Sequence, residues 1–277
     1  MIPPIATRFV AGETVPGALE HARERNAEGV GVILNLLGEH YEERGPADAD
    51  ADTYCELLDD LAGTDLRARV SVKPTQLGLD VAERVFRENL ARVVERAADR
   101  GRFVWVDMED HTTTDATLDA FERMAREYGN VGVCVQANLR RTRTDLERLA
   151  DLPGKVRLVK GAYDPPPDVA YREKARVNEK YRELLAYMFE RFEDGVAVGS
   201  HDPAMVEEAV RLHAEHGTPY EIQMLMGVRE DTQVELAADR EVWQYAPFGE
   251  KWFSYFYRRV LERKENASFA IRAVVDG

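Results

Sequence analysis

Val131-Gly-Val-Cys-Val-Gln-Ala-Asn138 is an aliphatic run that stops at two side-chain amides, and about 25 residues further on Val156-Arg-Leu-Val-Lys-Gly-Ala-Tyr163 follows the same plan. Each has the length and β-branched content of a strand and ends in polar groups. A strand, a charged helix-patterned stretch and a second strand within that span make one βαβ unit, whose strands run parallel. Six further runs extend the pattern: Val30–Leu36, Ala68–Val72, Phe103–Val106, Val196–Val198, Tyr220–Gln223 and Val242–Tyr245. Successive runs begin about 30 residues apart, the length of one crossover.

Amphipathic stretches at Val81–Arg100, Leu118–Tyr128, Ala170–Phe192 and Pro203–His216 fill the gaps, and a helix at about Thr14–Asn26 precedes the first run. Asp202 before Pro203 is a good helix start. Asp164-Pro-Pro-Pro167 is a stiff loop that delays the next helix. No linker divides the chain. Eight strands with eight crossovers predict an α/β fold, a (β/α)8 TIM-type barrel, as a single domain over residues 1–277. An open dinucleotide-binding sheet lacks its fingerprint, because Gly29-Val-Gly31 has no third glycine and lies within a strand.

Composition narrows the partners. The 277 residues carry 51 Asp+Glu against 37 Lys+Arg, a net charge of −14, which argues against nucleic acid and against a polybasic membrane patch. Only 7 of the 37 cations are lysine. An acid-rich, lysine-poor surface points to a cytoplasm of high salt, or else to an ordinary solvated face from a GC-rich genome. Cys55 and Cys134, in a predicted helix and a buried strand, make no disulfide framework and fit a reducing cytosol. No secretory signal is expected, since the first residues lack a basic segment followed by an apolar core. The longest apolar stretch, Val30–Leu37, is far short of the ~20 residues of a membrane span.

In a barrel the active site is built at the C-terminal ends of the strands. Here those ends carry Asn35 and Glu39, Lys73 and Gln76, Asp107 and Glu109, Gln136 and Asn138, Arg157, Lys160 and Tyr163, Ser200-His201-Asp202, Gln223, and Tyr245. Lys73, Arg157, Lys160 and Gln136 would form an electropositive floor suited to an anionic ligand or to a cofactor ring that gains negative charge. Salt bridging to Asp107, Glu39 and Glu109 is the plainer reading, and both can hold together. The spacing of Tyr255, Arg258 and Arg259 lets the three share a helix face, and two adjacent guanidinium forks can grip a carboxylate. Asp107, Glu109, Asp110 and His111 could offer a metal ligands, but the neighbouring strand ends are cationic, so no metal is assigned.

Taken in order, Arg8-Phe-Val-Ala-Gly-Glu13, Asn35-Leu-Leu-Gly-Glu39, Ser71-Val-Lys-Pro-Thr-Gln-Leu-Gly-Leu79, Val106-Asp-Met-Glu109, Gln136-Ala-Asn138, Arg157 to Tyr163, Ser200-His-Asp202, Tyr245-Ala-Pro-Phe-Gly249 and Tyr255-x-x-Arg-Arg259 resemble a monofunctional proline dehydrogenase over almost the whole length. The resemblance implies a distorted (β/α)8 barrel with non-covalent FAD. It further implies oxidation of L-proline to Δ1-pyrroline-5-carboxylate, with electrons passed to a membrane quinone during a transient contact at the inner face of the membrane. By the same resemblance Arg157 lies beside the flavin N5, and Met108, Gln136, Lys160, Gly161, Ala162, Ser200 and His201 contact the cofactor. Lys73, Tyr255, Arg258 and Arg259 bind proline, Tyr245 and Tyr255 wall the ring, and Glu39 pairs with Arg258 or Arg259 as a gate. Asp107 helps to place Lys73 and the flavin edge. Asn35 stands where the family pattern leads one to expect Asp, and the chain begins almost at the Arg8 segment, without the helices expected before it. The rival chemistries are a Schiff-base lyase using Lys160, and a non-catalytic barrel that binds an amino acid.

Overall fold

The computed structural model describes residues 8–252. Eight parallel strands close a barrel in the order β1 to β8. They are β1 (Gly31–Leu36), β2 (Ala68–Val72), β3 (Val104–Val106), β4 (Val131–Gln136), β5 (Lys155–Val159), β6 (Val196–Gly199), β7 (Tyr220–Leu225) and β8 (Val242–Phe248). Every aliphatic run of the sequence is therefore a strand. The described helices are α1 (Val15–Ala27), α2 (Arg44–Ala62), α3 (Glu83–Asp99), α4 (Thr114–Tyr128), α5 (Thr142–Leu149), α6 (Lys174–Arg191), α7 (Pro203–His216) and α8 (Glu230–Ala237).

Helices α2 to α8 are the seven crossovers, while α1 precedes the barrel and packs on both β1 and β8. His21 of α1 and Gln244 of β8 hydrogen-bond at 2.7 Å, so the seam that closes the barrel is covered by the helix before it. Helix α6 starts four residues later than its periodicity predicts. The reason is an antiparallel bridge between Leu139 and Ala170, with Arg140 N donating to Val169 O and Tyr171 N to Asn138 O. The chain after the prolines is thus clamped to the exit of β4 before it can turn helical.

Two cores result from the period-2 alternation of the strands. Val32, Leu34, Val70, Val72, Val104 and Val106 face the helices and join the large cluster with residues such as Tyr54, Leu57 and Phe86. The opposite parity faces the barrel axis, where Ile33, Trp105, Ala197 and Trp243 form a small apolar cluster. The two indoles fit because glycine faces them. A Cβ on Gly132 would lie 2.6 Å from the Trp105 ring, and one on Gly31 would lie 2.5 Å from Trp243.

Gly132→Val should therefore overpack the axis and cost about 1–3 kcal/mol, read as a lower urea midpoint. Adding Trp105→Leu to it should recover part of that loss. An unchanged midpoint in the single variant would show that the glycine is not needed for space.

Candidate active site

The axial parity carries more than aromatic rings. On β2 it places Arg69, Ser71 and then Lys73; on β5, Lys155 and Arg157; on β7, Glu221 and Gln223; on β8, Trp243 and Tyr245. The upper members of these pairs meet at the C-terminal mouth. Arg157 is 5% exposed. Its Nη2 donates to Asp107 Oδ1, its Nη1 donates to Gln223 Oε1 at 2.9 Å, and its Cζ lies 5.0 Å from the Trp105 ring centre and 5.7 Å from that of Tyr245. Asp107 also accepts from Ser71 Oγ at 2.8 Å and from Tyr245 OH at 2.6 Å. Burial works against the charge of Arg157, and its neighbours Cys134, Asp107 and Tyr245 more than offset it, holding the guanidinium above its usual pKa. Burial and the adjacent Asp107 push the Tyr245 phenol up, so it remains a donor. Arg157 Nε finds no hydrogen-bond partner; Cys134, a weak acceptor, sits opposite it in the β4–β5 register.

Around this centre each further cation has its own carboxylate. Lys73 donates to Glu39 Oε2 at 2.6 Å, and Lys160 donates to Asp202 Oδ2 at 2.6 Å. The other Asp202 oxygen caps α7 by accepting from Ala204 N, so the helix start also fixes Lys160. Burial tends to raise the Asp202 carboxyl, but the bond from Lys160 takes it below the ordinary range. The floor is therefore a set of ion pairs and not a bare positive surface. Asp107 is ion-paired with Arg157 and Glu39 with Lys73.

Local geometry sets the surroundings of three more residues. Glu109 does not join Asp107 on the axis. It is buried and accepts from Thr75 N and Thr75 Oγ1, both at 2.8 Å, pinning the loop after β2. Its own carbonyl accepts from Gln136 Nε2 at 2.8 Å, so Gln136 is positioned by the loop after β3. Met108 packs its side chain in the large outer cluster, because Asp107 before it points inward. Asn35 donates to Ser71 O at 2.9 Å and acts as a neutral tie between β1 and β2.

Gly161 lies at φ +113°, and a Cβ there would collide with the Asn138 side chain, whose Oδ1 is buried without a partner. The Lys160-Gly161-Ala162 main chain consequently runs close beside the end of β4. Ser200 is buried at the end of β6. His201 Nε2 accepts from Leu225 N at 3.0 Å, which leaves Nδ1 to carry the proton of the neutral ring. Tyr255, Arg258 and Arg259 lie outside the described residues. The structure adds Ser71 and, one layer lower, Glu221 to the site and gives Gln223, already placed at a strand end, a partner in Arg157; polar residues at alternate positions of β2 and β7 were the signal for the two additions. A cavity of about 400 Å³ at the opposite end, lined by Phe103, Lys155 and Glu241 among others, lacks this convergence of strand-end groups.

A family model described as proline dehydrogenase matches residues 18–272. The chain belongs to the proline dehydrogenase family. It is 34% identical to the proline dehydrogenase of Deinococcus radiodurans, over 99% of this chain and 91% of that one, and 32% identical to proline dehydrogenase 2 of Bacillus subtilis, over 97% and 90%. It is accordingly an oxidoreductase that acts on proline. Among solved structures, proline utilization A of Bdellovibrio bacteriovorus, inactivated by N-propargylglycine, superposes with a TM-score of 0.84 at 24% identity. That match covers 93% of this chain but 32% of the longer one, and it bears on the fold alone. Against the lyase alternative stands, besides the family, the ion pair that occupies the Lys160 amine, since a Schiff-base lysine must present a free amine.

Removing Asp107 should leave an unpaired buried cation. Asp107→Ala is expected to cost about 3–5 kcal/mol in urea denaturation, and Asp107→Ala with Arg157→Met much less. Equal losses in the two variants would mean that the pair is not coupled.

Proposed function

We propose that the C-terminal mouth of the barrel oxidises L-proline to Δ1-pyrroline-5-carboxylate, using non-covalently bound FAD and delivering electrons to a membrane quinone. The observation that carries this reading is Arg157, a buried cation of β5 held on two sides, with Gln136 at the end of the neighbouring β4 and Lys160 directly after β5 itself. The residues fit the cofactor. Asn138 Oδ1 is a buried acceptor awaiting a donor, the glycine at 161 lets the main chain approach closely, and the cationic and amide donors suit a ring system that gains negative charge. FAD, when bound, would supply the acceptor for the hydride, with its two electrons, that leaves the proline carbon, while the nitrogen gives up a proton.

The chain's own groups do the rest. Arg157, Gln136, Lys160, the Gly161-Ala162 backbone, Ser200 and His201 hold the cofactor, with any part for Met108 left to its main chain. Asp107 keeps the Arg157 guanidinium ionised and in place. Lys73 takes the proline carboxylate, sharing it with Tyr255, Arg258 and Arg259, and Tyr245 packs on the ring. A clamp on the carboxylate orients the substrate carbon for transfer, which is where positioning lowers the barrier. Glu39 neutralises Lys73 while no substrate is bound, beside its assigned pairing with Arg258 or Arg259 over the site. Among the described residues no helix is long and apolar enough to cross a membrane, and contact with the quinone is proposed as transient, at the inner face.

The purified protein should be yellow and should bleach when proline is added without an acceptor. A colourless protein that added FAD does not restore would overturn the reading. Because the Lys73 contact exists in ground and transition states alike, Lys73→Met should raise KM for proline about ten-fold with little change in kcat. Steady-state kinetics that show a fall in kcat at constant KM would remove Lys73 from substrate binding.

A further inference from the structure

Below Arg157 the axial residues of β7 continue a single hydrogen-bonded chain. Gln223 Oε1 accepts from Arg157 Nη1 at 2.9 Å, and Gln223 Nε2 donates to Glu221 Oε1 at 2.7 Å. Glu221 is 1% exposed. Arg69 Nη1 donates to its Oε1 at 2.6 Å, and Lys155 Nζ donates to its Oε2. Arg69 is in turn fixed 3.6 Å from the Trp243 ring centre. Burial works against ionisation of Glu221, and Arg69 and Lys155 overcome it, holding the carboxyl below its usual range.

The order of these groups has only one self-consistent reading. A side-chain amide has one acceptor end and one donor end. Reversed, the Gln223 amide would set N–H against a guanidinium and oxygen against a carboxylate. The buried Glu221 charge therefore locks the carbonyl end of Gln223 onto Arg157. The amide also acts as a spacer, since it gives the guanidinium a second acceptor with no second negative charge. Asp107 remains the one carboxylate bonded to Arg157 among the described residues.

We propose that Gln223 and Glu221 are positioning residues of the oxidation site: Glu221, anchored at the lower layer, orients Gln223, and Gln223 fixes the direction and preserves the net charge balance of Arg157. The proposal rests on the functional reading of Arg157 given above and deepens it. It accounts for an ionised carboxylate kept away from water in the middle of a barrel, a placement that stability alone does not favour, because buried ion pairs are often no better than apolar packing.

Two variants test it. Gln223→Leu removes the acceptor. The exchange variant Glu221→Gln/Gln223→Glu keeps the same atoms and total charge but puts a second carboxylate on Arg157. In the flavin-loaded protein the exchange variant should shift the flavin reduction potential to a more negative value. It should also lower kcat about ten-fold or more, with KM for proline within about two-fold of the parent. A role confined to filling the barrel would leave the potential where it was, and that result overturns the proposal, as does a change in KM alone. A second readout needs no cofactor. In the apoprotein the Arg157 Nε–H resonance, assigned by its loss in Arg157→Met, should exchange with water faster in Gln223→Leu than in the parent. Equal exchange rates would show that Gln223 does not hold the guanidinium. If the parent fails to bleach with proline while the exchange rates differ, the functional reading falls and the positioning of Arg157 stands.

Discussion

A guanidinium at the centre of a closed sheet has no water to fall back on, so every residue around Arg157 is constrained by the need to pair it. Its two terminal nitrogens go to Asp107 and Gln223, its plane is bounded by Trp105 and Tyr245, and Asp107 is itself held by Ser71 and Tyr245. These side chains come from five strands, β2, β5, β7 and β8 together with the exit of β3. Their convergence requires that the barrel close in register. The apolar part of the axis is small as a result, limited to Ile33, Trp105, Ala197 and Trp243, and most of the hydrophobic stabilisation comes from the ring between strands and helices. The barrel interior is thus specified by polar complementarity, and the outer ring supplies the burial.

The surface follows a different rule. Arginine carries most of the positive charge, and the structure gives a geometric use for it: Arg148 reaches both Asp119 and Glu122, Arg211 both Glu208 and Glu215, and Arg141 both Asp115 and Asp145. A planar fork with several donors can bridge two carboxylates, whereas an ammonium is a single point of charge. Several of these bridges join neighbouring helices, as Arg96 and Arg100 of the α3 region do with Asp59 of α2. Exposed pairs of this kind contribute about 0–1 kcal/mol each and weaken with salt. Much of the acidic excess therefore lies on this helical shell. The axial chain of Arg69, Lys155, Arg157, Glu221 and Asp107 lies inside the barrel wall.

Strand number, order and the helical crossovers were legible because alternating aliphatic runs and amphipathic stretches report burial directly. The start of α6 moved for a tertiary reason: the bridge between Leu139 and Ala170 delays it, and no local pattern encodes that pairing. Within the site, Arg157, Asp107 and Lys73 could be placed at strand ends from their position after an aliphatic run. Their partners could not. Pairing between Lys73 and Glu39, or between Lys160 and Asp202, depends on how far each loop carries its residue after the strand stops. Glu109 shows the limit of alternation, since three residues past the end of β3 the chain has turned and its carboxylate serves the loop after β2.

Asn35 illustrates how a departure from an expected pattern acquires a physical meaning once its surroundings are known. The Ser71 carbonyl beside it accepts from Asn35 Nδ2 at 2.9 Å and from Tyr54 OH at 2.7 Å. Tyr54 OH also receives the Leu36 N–H at 3.0 Å, so one phenol links β1 and β2 at the point where both strands end. The Ser71 carbonyl needs a donor from position 35, and an ionised carboxylate offers none. An amide at position 35 satisfies that requirement while remaining uncharged. Ser71, whose backbone is fixed in this way, is then free to direct its hydroxyl to Asp107. The neutral tie at the rim of β1 and β2 thus supports the charged pair at the centre, and a carboxylate at position 35 would serve the same geometry only in its protonated form.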